Sequence, residues 1–163
     1  MPNNEKKYKI DASKQYSNFA GLLMGFSITF TTILLTLSTK VIKDNIFFEY
    51  AIAAFITSAF TFLQSSEFFI YFTRNKKDIN YDIASYCYYL GYLSMVLGVV
   101  YLLKLFDINY ALVISYIFLL FSVIFLIIDT KIAIFRDKKP IDIVCLPLII
   151  IVYLLAIYFT LIK

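Results

Sequence analysis

Five long apolar runs, roughly Phe19 to Leu37, Phe47 to Phe72, Ile83 to Phe106, Tyr110 to Ile128 and Ile143 to Ile162, alternate with short polar segments along the chain. Each run reaches or approaches the ~20 residues that a helix rising 1.5 Å per residue needs to cross the hydrocarbon core of a bilayer. The pattern predicts an all-α fold: a polytopic membrane helical bundle with five transmembrane helices. The basic residues of the six polar segments number 4, 2, 3, 1, 4 and 1 in chain order, with Lys104 at the end of the third run counted with the segment that follows it. Alternate segments therefore gather Lys6, Lys7, Lys9, Lys14, Arg74, Lys76, Lys77, Lys131, Arg136, Lys138 and Lys139 on one side, and Lys40, Lys43, Lys104 and Lys163 on the other. By the positive-inside rule the N-terminus is in the cytoplasm and the C-terminus outside.

The connectors refine this layout. Residues 1–16 are charged and polar without a long apolar stripe, so they are expected to form a cytoplasmic tail or a short interfacial helix ahead of a single membrane domain over 17–163. Ser38 to Ile46 is short enough to force an antiparallel hairpin, Thr73 to Asp82 reads as a charged cytoplasmic connector, and Asp107-Ile108-Asn109 makes the third and fourth spans tight neighbours. Beyond the fourth span, Ile132 and Phe135 share a helical face beside four basic residues, so this helix is expected to run on past the membrane and stop before Pro140.

In lipid, helices associate through close packing of small residues and through hydroxyl hydrogen bonds. Gly21, Gly25, Thr29, Thr32 and Thr36 line one stripe of the first span, opening on a Gly-x-x-x-Gly. Ala51, Ala54, Ser58, Thr61 and Ser65 do so in the second, and Ala84, Cys87, Gly91, Ser94 and Gly98 in the third. Spacings of three and four give a seam of period 3.5, the pattern of left-handed packing between neighbouring helices. The first three helices are thus expected to form the protein-facing core. The fourth keeps a sparser seam (Ala111, Ser115, Ser122), and the fifth, with Pro147 near its start, is expected at the periphery.

Composition narrows the chemistry. With 163 residues, 61 % of them apolar, and a mean hydropathy of +0.81, five spans and their connectors use nearly the whole chain. The net charge of +4 sits beside span ends, where it meets anionic lipid rather than nucleic acid. No cleavable signal peptide is evident, since the first apolar run is itself long enough to span. Cys87 and Cys145 both fall near the cytoplasmic leaflet, where thiols stay reduced. The absence of histidine and of any Cys-x-x-Cys removes the usual ligands of haem and transition metals, so no cofactor is expected.

Glu67, flanked by Gln64, Ser65 and Ser66 inside the second span, is the most conspicuous polar residue. An ionisable group at depth usually faces the bundle or water and marks a functional position. Seven residues before Arg74, however, it lies about 10 Å from the basic connector, near the headgroups. Both readings stand: an interfacial carboxylate, or an ion, proton or polar-ligand site. Asn18, Tyr86, Tyr88, Tyr89 and Asp129 reach the same depth, so they either converge with Glu67 in a polar pocket or, for the tyrosines, form an aromatic belt. The threonine face of the first helix is either packing glue or the lining of an aqueous path. Ser65 and Ser66 have no histidine or lysine base nearby in sequence, so no nucleophile is evident and an enzyme is not expected.

The stretch Tyr16-Ser17-Asn18-Phe19-Ala20-Gly21-Leu22-Leu23-Met24-Gly25-Phe26 resembles the opening of small uncharacterised prokaryotic multi-pass membrane proteins with a YSxFAGxLxGF pattern. That resemblance covers one helix, implies a prokaryotic plasma membrane and implies no activity. A Gly-Phe in a basic-flanked first helix is also similar to Orai calcium channels, which would imply an oligomer with that helix lining a pore. Ile33 and its neighbours stand where the acidic selectivity residue would be, and a fifth span is added, so no functional residue is carried over. The reading that emerges is a non-enzymatic integral membrane subunit whose partners are the bilayer and either further copies of itself or other membrane subunits. A small ion channel or transporter using the Thr29, Thr32, Thr36 face and Glu67 is the alternative.

Overall fold

A computed structural model describes residues 2–37 and 45–108 continuously, and residues 117, 120, 124, 147, 150, 151 and 154 singly. Among the described residues there is no strand, and three helices are long and apolar enough to cross a membrane. We call them α1 (Pro2–Leu37), α2 (Ile46–Asn75) and α3 (Asp78–Leu105). The spans expected over 110–128 and 143–162, and the connector between them, lie largely outside the described residues. The single positions named above are helical, and Ile150 packs against the core formed by Leu34, Phe48, Phe55, Leu93, Leu97 and Tyr101.

α1 extends the expected first span at its N-terminal end. Residues 2–16, expected as a tail or a separate interfacial helix, continue α1 without a break. At 36 residues α1 is about 54 Å long, well beyond the ~30 Å hydrocarbon core. This N-terminal extension meets the other helices: Ser13 is fully buried, and Lys9 pairs with Asp78 Oδ1 of α3 at 3.4 Å.

The connector expected over residues 73–82 contracts to Lys76 and Lys77. Lys76 takes the left-handed conformation (φ 55°) and donates its backbone N–H to Phe72 O at 2.8 Å, closing α2 with an αL cap. Lys77 is extended and starts α3 without a side-chain cap. At the opposite end Asn45 caps α2, its side-chain oxygen accepting from the Phe47 N–H at 2.9 Å. α3 ends in a Schellman turn: Asp107 (φ 56°) donates to Lys104 O at 3.2 Å, and Ile108 to Leu103 O at 2.9 Å.

α2 is the centre of this arrangement. It packs along its length against α1 on one side and α3 on the other, while α1 and α3 scarcely meet. The α2–α3 seam rests on a repeat of seven: Phe48, Phe55, Phe62 and Phe69 are all buried on α2. Opposite them, α3 supplies glycines. A Cβ on Gly98 would stand 2.9 Å from the Phe55 ring, and one on Gly91 would stand 2.8 Å from Thr61 Oγ1 and 3.0 Å from Phe62 Cδ1. Large rings thus seat where α3 has no side chain, giving close contact that does not depend on expelling water.

The α1–α2 contact is also a repeat of seven, but it runs along a different stripe from Gly21, Gly25, Thr29, Thr32 and Thr36. Ser13, Ala20, Ser27 and Leu34 are the buried positions of α1. Ser17, Met24 and Thr31 lie half-buried between them.

Candidate functional site

Polar groups inside the three-helix layer are tied to one another across the helices. Ser27 of α1 and Ser58 of α2 lie 2.9 Å apart, and the Ser58 hydroxyl donates to the Gly91 carbonyl of α3 at 2.9 Å. Each hydroxyl has one proton. Both contacts are satisfied when Ser27 donates to Ser58 and Ser58 to Gly91 O, a relay joining all three helices at mid-length in which Leu23 O, 3.0 Å from the Ser27 hydroxyl, is the competing acceptor. Nearer the N-terminal end, Ser65 donates to Ala84 O at 2.8 Å and Ser17 meets Ser66 with oxygens 2.9 Å apart. Among the described residues no buried side-chain nitrogen or oxygen lacks a partner.

This network distributes the polar residues singled out in the sequence. Ser65 points into the α2–α3 seam, whereas Gln64 and Glu67 are exposed on another face of α2. Asn18 is exposed on α1 and lines a cavity of about 350 Å³ with Ser13, Lys14, Ser17, Ile70 and Thr73, a group that does not include Glu67. Asp129 lies outside the described residues. Asn18 and Glu67 therefore do not share this cavity. Ala84, Gly91, Ser94 and Gly98 are buried on α3, and Cys87 is half-buried.

Thr29, Thr32 and Thr36 are exposed, and each donates its hydroxyl to the carbonyl four residues earlier in α1. Among the described residues, a Cβ at Gly21 or Gly25 would meet nothing within 4 Å. The stripe is thus an open face of α1, flanked by exposed Leu22, Phe26 and Ile33.

The tyrosines expected near the headgroups do assemble, with partners that the sequence did not single out. Tyr88 and Tyr89 of α3 line a cavity of about 240 Å³ together with Tyr16, Phe69, Tyr81 and Ser85. Tyr86 instead packs against the hydrophobic core. Tyr16 joined the motif Tyr16 to Phe26 but not the pocket, because its approach to α3 depends on α1 remaining helical through residues 2–16. Among the described residues no group of three or more His, Cys, Asp or Glu side chains gathers as a metal site would require. Comparison with known proteins adds no relative: no family model, no curated protein and no solved structure matches the chain.

Proposed function

We propose that the chain is a non-enzymatic integral membrane subunit of five transmembrane helices, with its N-terminus cytoplasmic, that packs into a homo-oligomer or a larger membrane complex. The open α1 face carries this reading. Every buried hydroxyl of the three helices is engaged within the layer, while Gly21, Gly25 and the threonines after them leave room at the α1 surface for another backbone to approach closely. Small residues on an open helix face are what helix association in lipid uses. The threonine hydroxyls, bonded within their own helix, leave that face smooth rather than hydrated.

Purification of the full chain in mild detergent, with mass and stoichiometry measured, tests the proposal. A fixed assembly, either with copies of itself or with other membrane subunits at constant ratio, is expected, together with no flux from reconstituted liposomes. Flux that is lost in Glu67→Gln, or altered by a bulky residue at Thr32, would replace this reading with the channel.

A further inference from the structure

The cavity between Tyr16 of α1, Phe69 of α2 and the first turns of α3 has five aromatic side chains among its six lining residues. Neighbouring rings stand at steep angles: Tyr16 to Tyr88 at 63° and Phe69 to Tyr81 at 70°. The pair nearest to parallel, Tyr16 and Phe69, is already stacked with centroids 5.7 Å apart, so no planar ring fits between them. The walls therefore make a box and not a slot. The sixth residue, Ser85, donates its hydroxyl to Tyr81 O at 2.9 Å, so the aromatic rings and their phenol oxygens make the surface offered to a guest.

Ring faces are the negative pole of the aromatic quadrupole and attract cations, and boxes of such faces recognise methylated ammonium groups. One cation already stands beside one of these rings. The Lys9 ammonium lies 5.9 Å from the Tyr81 ring centroid, with its charge balanced by Asp78 Oδ1 at 3.4 Å. At about 240 Å³ the cavity falls below the roughly 300–1,000 Å³ of sites for drug-sized ligands, so it suits a compact head and not an extended ring system.

We infer that this box binds a quaternary ammonium group, supplied either by a small free cation or by a zwitterionic lipid headgroup. The inference needs the fold of α1, α2 and α3 and is independent of any oligomeric role.

The test measures binding of labelled choline to the full chain in maltoside detergent by equilibrium dialysis, with the uncharged carbon isostere of choline as competitor. Saturable binding that the isostere does not displace is expected. Tyr88→Leu is expected to weaken it roughly 2- to 30-fold, the range of one cation–π wall, while Tyr88→Phe retains it. Tyr88 also contacts Tyr16 and Phe62, so Tyr89→Leu, at a wall residue 40 % exposed, supplies a second variant with less effect on folding. Phosphatidylcholine nanodiscs that suppress choline binding, where phosphatidylglycerol nanodiscs do not, identify the lipid as source; equal binding in both identifies the free cation. Displacement by the neutral isostere, absence of saturable binding, or wild-type binding by both leucine variants would overturn the inference.

Discussion

Adding one methyl group to glycines of this chain is expected to change stability in opposite directions depending on the helix. Alanine has a higher helix propensity than glycine by about 0.8–1 kcal/mol, so on an open surface the substitution stabilises. At Gly21 and Gly25 nothing among the described residues stands within 4 Å of the new Cβ, and each variant is expected to gain about 0.5–1 kcal/mol. At Gly98 the Cβ would lie 2.9–3.0 Å from three atoms of the Phe55 ring, which is fully buried and stacked on Phe30. Overpacking of that kind costs typically 1–3 kcal/mol, which exceeds the propensity gain and leaves Gly98→Ala destabilised by about 0.5–2 kcal/mol. Gly91→Ala follows the same logic against Phe62 and Thr61. Reversible unfolding in mixed micelles, followed by far-UV circular dichroism, measures all four variants. The Gly98→Ala/Phe55→Leu double variant should recover part of the loss, because the smaller side chain vacates the space. Gly91→Ala and Gly98→Ala unfolding at or above the wild-type midpoint would refute the close α2–α3 approach.

Ser58 holds both arms of the hydroxyl relay, so Ser58→Ala is expected to cost about 1 kcal/mol and Ser27→Ala about 0.5 kcal/mol, within the range of interhelical hydrogen bonds in membranes. The double variant should cost less than the sum, and strict additivity in the same unfolding assay would mean that the two hydroxyls do not interact. Lys76 and Asp107 both hold left-handed backbone without being glycine. Lys76→Gly and Asp107→Gly are each expected to raise the unfolding midpoint by the equivalent of about 0.5–1 kcal/mol, and a lowered midpoint would argue against these turns.

The helices were legible in the sequence because runs of this length and apolarity have one stable form in lipid, where every backbone group must be satisfied within the segment. The α2 stripe of Ala51, Ala54, Ser58, Thr61 and Ser65, all buried but the half-buried Ala54, was legible too, since small residues at spacings of three and four on the central helix face a neighbour on either side. α1 carries two stripes of that spacing. The glycine and threonine stripe is the more uniform in composition, yet α2 is met by Ser13, Ala20, Ser27 and Leu34, a mixed set whose role is fixed by what α2 presents. The helical state of residues 2–16 was hidden for a related reason. Their charged sequence has no long apolar stripe, and the continuation brings tertiary contacts, such as Lys9 with Asp78, that the sequence does not display. The aromatic box follows from that continuation, because Tyr16 reaches Phe69 and Tyr88 only from a helix already in place.

The glycine and threonine face of α1 as a contact between subunits is the claim on which the proposed role turns, and cysteine cross-linking in native membranes tests it most directly. In a background with Cys87 and Cys145 replaced by serine, single cysteines at Gly25, Thr29 and Thr32 are expected to form intermolecular cross-links, while a cysteine at Ser27, buried against Ser58, forms none. Cross-linking at Ser27 with silence at Gly25, Thr29 and Thr32 would contradict both the orientation of α1 and the subunit role built on it.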